Sequence, residues 1–252
     1  MTERTTGGVQ SVERAFELLD LMADAGGTQT LSELANRTEL PPPTIHRLLR
    51  TLVGRGYVRQ LPNRRYALGP RLIRLGDGAN RQLGQIAEPY LADLVGRLQE
   101  TANLAVLDGD MVLYVAQVPS PHSVRMFTEI GRRAHTHDTG VGKAILSQLD
   151  EPTVRSIVSR VGMPRATEHS IGDPEELVSH LSLIRERGYS IDDNEQEIGV
   201  RCYAVPIPDA PTPTAVSVSG PQTRVDEAFG ERAVPLLLEA AEAISREMNR
   251  TV

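Results

Sequence analysis

The chain has 252 residues, 40% of them hydrophobic and 24% charged, with a formal charge of −6 and one cysteine, Cys202. Such a composition suits a globular protein that buries one large core or two modest ones; a single cysteine excludes an internal disulfide and fits a reducing compartment. With no run of eighteen apolar residues, and no apolar stretch of signal-peptide kind in MTERTTGGVQ, a membrane-spanning helix is excluded and a cytoplasmic location is expected.

The charge is unevenly placed. Residues 1–82 hold 12 Lys+Arg against 8 Asp+Glu, a balance of +4, and the remainder holds 15 against 25, a balance of −10. Between 40 and 81 there are nine arginines and one acid, Asp77. The contrast suggests a basic module that meets a polyanion, joined to an acidic module that does not. SVERAFELLDLMAD places Val12, Ala15, Phe16, Leu19 and Met22 at helical spacing, with Ser11 as the expected N-cap and GG at 26–27 as the stop. LSELANRT predicts a second short helix with Leu31, Leu34 and Ala35 on one face. After LPPP the pattern resumes, and Ile45, Leu48, Leu49, Leu52 and Val53 form the apolar stripe of a third helix, opposite Thr44, His46, Arg47, Arg50 and Thr51. GYVRQLPNRRYALG alternates, turns at PNRR and alternates again, which predicts a hairpin or wing. Together these elements fit a winged helix-turn-helix. An arginine-rich solvated face on an ordinary three-helix core is disfavoured, because the third helix and the wing are basic together.

These stretches resemble the IclR family of transcriptional regulators, on GVQSVERAFELLDLM, TLSELANRTELPPPTIHRLLRTLVGRGYV and YALGPRLIRLG. The resemblance continues through TGVGKAILSQL, RERGYSIDDNEQEIGVRCYAVPI and AVSVSGP, so it covers nearly the whole chain. It implies that the third helix enters the major groove with Thr44, His46, Arg47 and Arg50 directed at bases and phosphates, while Arg64 and Arg65 at the wing tip meet the backbone or minor groove. One departure is Pro42 and Pro43, where relatives often carry polar or basic residues; proline has no N–H to offer a phosphate. Domains are expected at 8–70 (winged helix-turn-helix), 71–84 (linker helix) and 85–250 (effector-binding domain).

Beyond the wing, GPRLIRLGDGANRQLGQIAEPYLADLVGRLQE reads as mostly helical, with glycines at 76, 78 and 84. ANLAVLDGDMVLYVAQV predicts two strands joined at DGD, and SVRMFTEIG a third. GVGKAILSQLD begins a helix, and DPEELVSHLSLIRERG is a helix with Asp173 as N-cap and Gly188 as stop. GYSID, VRCYAVPI and AVSVSG are further strands, followed by a helical C-terminus with Pro235 as a kink or break. The class is α+β, and the resemblance implies an antiparallel-sheet, GAF-like sensor domain.

Several site readings fail or stay open. GVGKA is not a nucleotide-binding loop, since His137 stands where the first glycine is needed and Ala144 where Ser or Thr is needed. HTHD at 135–138 offers two histidines but no third metal ligand at fixed spacing, so no metal and no cofactor is expected. Cys202 lacks a catalytic histidine signature and reads as pocket wall or core; the chain is read as no enzyme. TGVGK opens a helix near Gly140, whose free N–H groups and dipole favour an anion. Ser217 and Ser219 face one way on an apolar strand, as core positions or as pocket lining, and Asp192 reads as an exposed turn acid. The resemblance implies that the effector pocket falls on Thr139, Gly140, Val141, Asp192, Cys202, Ser217 and Ser219. Asn194 followed by Glu195 departs from the family's two glutamates.

Within the family, DDNEQEIGVRC, MFTEIGRR and TGVGKA are similar to allantoin-pathway repressors, especially those of actinobacteria. That implies repression relieved by a small carboxylate such as allantoate or glyoxylate, and a dimer or dimer of dimers on double-stranded operator DNA. Alternatives are an activator or a regulator of aromatic-acid catabolism, a ureide hydrolase fused to a DNA-binding module, and a protein-interaction module.

Overall fold

The computed structural model describes residues 8–38, 40–126 and 128–250, with the backbone alone at 80–83, and divides the chain into two units, 1–79 and 80–252. The first unit contains α1 (Gln10–Asp24), β1 (Thr28–Gln29), α2 (Leu31–Arg37), α3 (Pro42–Gly54), β2 (Val58–Gln60) and β3 (Tyr66–Leu68). Its strands form an antiparallel sheet in the order β1-β3-β2. Leu18, Leu19, Met22, Leu34, Ile45, Leu49 and Leu52 close its core.

Two details differ from the sequence pattern. Helix α1 starts at Gln10 with Val9 as N-cap, so Ser11 lies inside the first turn. Its core face is Leu18, Leu19 and Met22, while Val12 and Phe16 are exposed, Phe16 at 62%. The apolar residues of this helix wrap round more than one face, and spacing alone could not tell which face the core takes. Strand β1, too short to show alternation, completes the small sheet.

Helix α2 is set by its start. Thr30 Oγ1 accepts the Glu33 N–H at 3.1 Å while the Glu33 carboxylate accepts the Thr30 N–H at 2.6 Å, a reciprocal capping box. Helix α3 begins on Pro42 and Pro43, whose missing N–H groups cost nothing in a first turn.

Helix α4 (Arg71–Leu98) runs 28 residues through the glycines and Pro89, as the mostly helical reading of this stretch expected. The second unit follows with β4 (Thr101–Asp108), β5 (Met111–Val118), β6 (Arg133–Ala134), α5 (Gly140–Leu146), α6 (Glu151–Val161), α7 (Pro174–Arg187), β7 (Ser190–Asp193), β8 (Val200–Ile207), β9 (Thr214–Pro221) and α8 (Glu227–Arg250). The strands make one antiparallel sheet, β6-β5-β4-β9-β8-β7, which is the α+β architecture expected. One face carries Leu104, Val205, Val216 and Val218 against Leu91 and Leu94 of α4 and Phe229, Leu237 and Ile244 of α8. The other face is built from small residues, Ala105, Ala204 and Ala215, and takes α5 through Val141, Ala144 and Ile145. Helices α6 and α7 cover the far side of α5 through Leu146, Val154, Ile157, Leu177 and Leu181.

Helix α7 has the Asp173 cap and the Gly188 stop, the glycine at φ 80°. Helix α6, unread in the sequence, is capped by Asp150 with Pro152 in its first turn. The expected strand over SVRMFTEIG is absent among the described residues; Val124 and Ile130 are exposed, and the pairing strand is Arg133–Ala134. An apolar alternation with no sheet position to occupy stays irregular. Pro235 neither breaks nor ends α8.

Thr30→Ala should cost the first unit about 1 kcal/mol by removing one half of the capping box. Chemical denaturation followed by helix signal checks this; an unchanged midpoint would mean that the α2 start is held by packing alone.

Candidate functional site

In the first unit, His46, Arg47 and Arg50 are exposed on α3 and Thr44 is half-buried beside them. Arg47 and Thr51 also edge an apolar groove with Val12, Phe16 and Leu48. At the hairpin tip Arg64 is exposed and sits at φ 63°, a left-handed turn position. Arg65 is placed differently from the expectation. Its guanidinium donates to Glu33 at 3.1 Å and to the Thr28 carbonyl at 3.3 Å, so it fastens the hairpin to α2 instead of projecting from the tip. Arg59, exposed on β2, is a basic hairpin side chain that the sequence reading did not single out.

In the second unit the strand register gathers the other residues. Asp192 pairs with Cys202, Cys202 with Ser219, and Ser219 with Thr101; one step along, Ser190, Ala204, Ser217, Asn103 and Gln117 form the adjoining row. Directly opposed residues share a sheet face, and this is the face on which Cys202 and Ala204 meet α5. The result is a polar floor within an apolar face. Asn103 donates to Ser219 Oγ at 3.3 Å and accepts from Gln117 Nε2 at 3.0 Å. Neither Asn103 nor Gln117 was singled out from the sequence, although Thr101 and Asn103 alternate with Ala102 and Leu104 and so announce a polar side of β4.

Helix α5 lies close on this floor. A Cβ on Gly140 would stand 2.8 Å from Cys202 Sγ, and one on Gly142 would stand 2.4 Å from the Thr136 carbonyl, so both positions need glycine for close approach. Thr139 caps the helix by accepting the Gly142 N–H at 3.1 Å. The Gly140 and Val141 amides precede it, at positions where helix geometry supplies no intrahelical acceptor.

The electrostatics are those of a dry site. Lys143 is fully buried and ion-paired to Glu195, whose carboxyl is raised by burial against the pull of Lys143. Asp192, far from being an exposed turn acid, is 3% exposed and accepts the Glu195 N–H at 2.9 Å. Burial pushes its carboxyl up to about 7, with Lys143 pulling down and Glu195 adding to the rise. The Cys202 thiol is pushed up to about 12 by burial, reinforced by Asp192. HTHD forms a loop between β6 and α5, and among the described residues no group of three His, Cys, Asp or Glu is placed to hold a metal ion. No helix among them is long and apolar enough to cross a membrane.

Comparison with known proteins fixes the family. Residues 11–62 match the IclR helix-turn-helix domain, and residues 79–246 match the family described as Bacterial transcriptional regulator IclR C-terminal. The chain belongs to the IclR family of transcriptional regulators. It is 36% identical over 245 residues to the HTH-type transcriptional regulator BhcR of Paracoccus denitrificans, covering 95% of this chain and 88% of that one. It is 35% identical over 251 residues to the Transcriptional repressor IclR of Escherichia coli, covering 97% and 92%. Among solved structures it is similar to an IclR homolog from Microbacterium hydrocarbonoxydans complexed with 4-hydroxybenzoate, at 27% identity, 95% and 98% coverage and a TM-score of 0.75. An IclR-family chain is a regulator and not an enzyme.

Asp192 gives a pH-dependent test. Its carboxyl is raised on folding, so the ionised form is disfavoured in the folded state. Stability from this group is complete below its unfolded value near 4 and is lost as pH rises through about 7. Asp192→Asn keeps an acceptor oxygen for the Glu195 N–H and removes the titration. Its melting temperature should gain on wild type between pH 5 and pH 8; a constant difference would remove the buried-carboxyl reading.

Proposed function

We propose that this regulator is a repressor that binds operator DNA as a dimer, or a dimer of dimers, and is released by a small carboxylate effector. The α3 face with Thr44, His46, Arg47 and Arg50 reads the major groove, and Arg64 reaches the backbone at the hairpin. Arg65 acts indirectly, by setting the hairpin against α2. A dimer implies two half-sites about one helical turn apart.

The observation that carries the effector reading is the polar floor of Asn103, Ser217 and Ser219 beside Asp192 and under α5. Two hydroxyls, a side-chain amide and the Gly140 and Val141 N–H groups offer donors to a carboxylate, with Cys202 as the wall. Asp192 fits as a neutral acid that donates a hydrogen bond, since its carboxyl titrates near neutrality. The similarity to a homologue complexed with a carboxylate, 4-hydroxybenzoate, supports an acid as ligand. The close seat of α5 on Cys202 favours a small acid over an aromatic one. Within small acids we favour the ureide-degradation series, allantoate or its product glyoxylate, because Asp192 and the serines suit both a carboxylate and ureido N–H groups. The homologue's aromatic ligand keeps a regulator of aromatic-acid catabolism as the second reading. Release requires the effector to bind the DNA-free form more tightly than the DNA-bound form.

A gel shift on the chain's own upstream region, titrated with allantoate, glyoxylate and 4-hydroxybenzoate, tests this. Wild type should be released by one of the first two. Arg50→Ala should lose retention yet still bind the acid, and Ser217→Ala should keep DNA but resist release. Release by 4-hydroxybenzoate alone would replace the ureide reading with the aromatic one.

A further inference from the structure

The loop between β6 and α5 carries polar groups that the carboxylate reading does not use. His137 and Asp138 are 0% and 5% exposed. His137 Nε2 lies 3.1 Å from the Pro164 carbonyl, which can only accept, so the hydrogen sits on Nε2. Burial lowers the pKa of this ring and keeps it neutral, which leaves Nδ1 as a bare acceptor. His137 Nδ1, Asp138 Oδ1 and Glu195 Oε2 are all buried and have no hydrogen-bond partner in the protein. Leaving a buried polar atom unpaired costs about 1–3 kcal/mol; His135 Nδ1 and Thr136 Oγ1 of the same loop are unpaired too, and the single Thr136 hydroxyl hydrogen is fewer donors than the three acceptors call for. Lys143 is already committed to Glu195 Oε1.

These acceptors adjoin the effector floor. Asp138 immediately precedes the α5 cap, and the buried Tyr114 lies within electrostatic reach of Asp138, Asp192 and Cys202 alike. Glu195 is in reach of both Asp138 and Lys143. A metal cation suits the cluster poorly, because the Lys143 ammonium acts on His137, Asp138 and Glu195 together. Neutral N–H groups suit it well.

We infer that His137, Asp138 and Glu195 form a second lobe of the effector site, which accepts hydrogen bonds from the N–H groups of a ureido- or amide-bearing acid. The inference rests on the carboxylate reading, in that Ser217 and Ser219 hold one end of the ligand while this lobe takes the other. It makes Asp138 a specificity-determining residue: acids of equal length are sorted by whether they carry N–H donors.

The test uses a matched pair, N-carbamoylglycine and 4-oxopentanoate, which share shape and carboxylate while the second has carbon in place of each nitrogen. Calorimetric titration of the full-length wild type should show about tenfold or more preference for N-carbamoylglycine, the scale of a hydrogen bond to a charged acceptor. Asp138→Ala should bring the two acids to near-equal affinity by weakening only N-carbamoylglycine. Asp138→Asn, which keeps one acceptor oxygen and the shape of the loop, should fall between and guards against a loop that has merely collapsed. Equal binding of both acids by wild type, or a preference that survives in both variants, overturns the lobe. Ser219→Ala reports separately on the floor and should weaken both acids alike. If it weakens neither, the carboxylate reading fails while the Asp138 result stands by itself; if wild type binds neither acid, both fall.

Discussion

The second unit is organised around one buried ion pair. Lys143 on α5 is wholly out of water, a burden of several kcal/mol for an ammonium, and the Glu195 carboxylate is what makes it tolerable. Glu195 is itself held at every polar backbone atom: its N–H by Asp192, its carbonyl by Ser170 at 2.6 Å and Thr167 at 3.1 Å. Those contacts tie α5, the β7–β8 turn and the segment before α7 into one piece. The distance from the α5 start to the floor therefore cannot drift without stranding a charge. The glycines at 140 and 142 remove the steric obstacle to that close seat, and the ion pair supplies the reason to keep it.

The sequence made visible whatever was written in local chemistry. Asp173 and Gly188 bracketed a helix because a carboxylate cap and a left-handed stop act within one turn. The PNRR hairpin and the DGD hairpin were legible for the same reason, with Arg64 and Gly109 taking the positive-φ positions. What depended on distant partners was hidden. The buried face of α1 was chosen by α2 and α3, not by its own spacing, which is why Phe16 ended outside. Arg65 looked like a free wing-tip arginine because Glu33, its partner, lies thirty-two residues away. Asp192 looked exposed because nothing local shows that Lys143 and α5 close over it.

Of the floor itself, Ser217, Ser219, Cys202 and Asp192 came from the family resemblance, and the register gives the resemblance a physical content: they occupy opposed positions on one face. Asn103 and Gln117 share that face through β4 and β5, but reading them required knowing that β4 lies beside β9 rather than only beside β5. Sheet order is long-range information, and alternation within a strand cannot carry it.

Residues 83–252 carry a balance of −10, yet burial holds several of their carboxyls above the usual carboxylate range. Three carboxyls, Asp138, Asp192 and Glu195, share one buried ammonium, Lys143. Burial drives Asp138 up to about 6 and Asp192 up to about 7 against the pull of Lys143, with Glu195 adding to the rise at Asp192. Charge counted along the sequence and charge counted after burial are therefore different quantities.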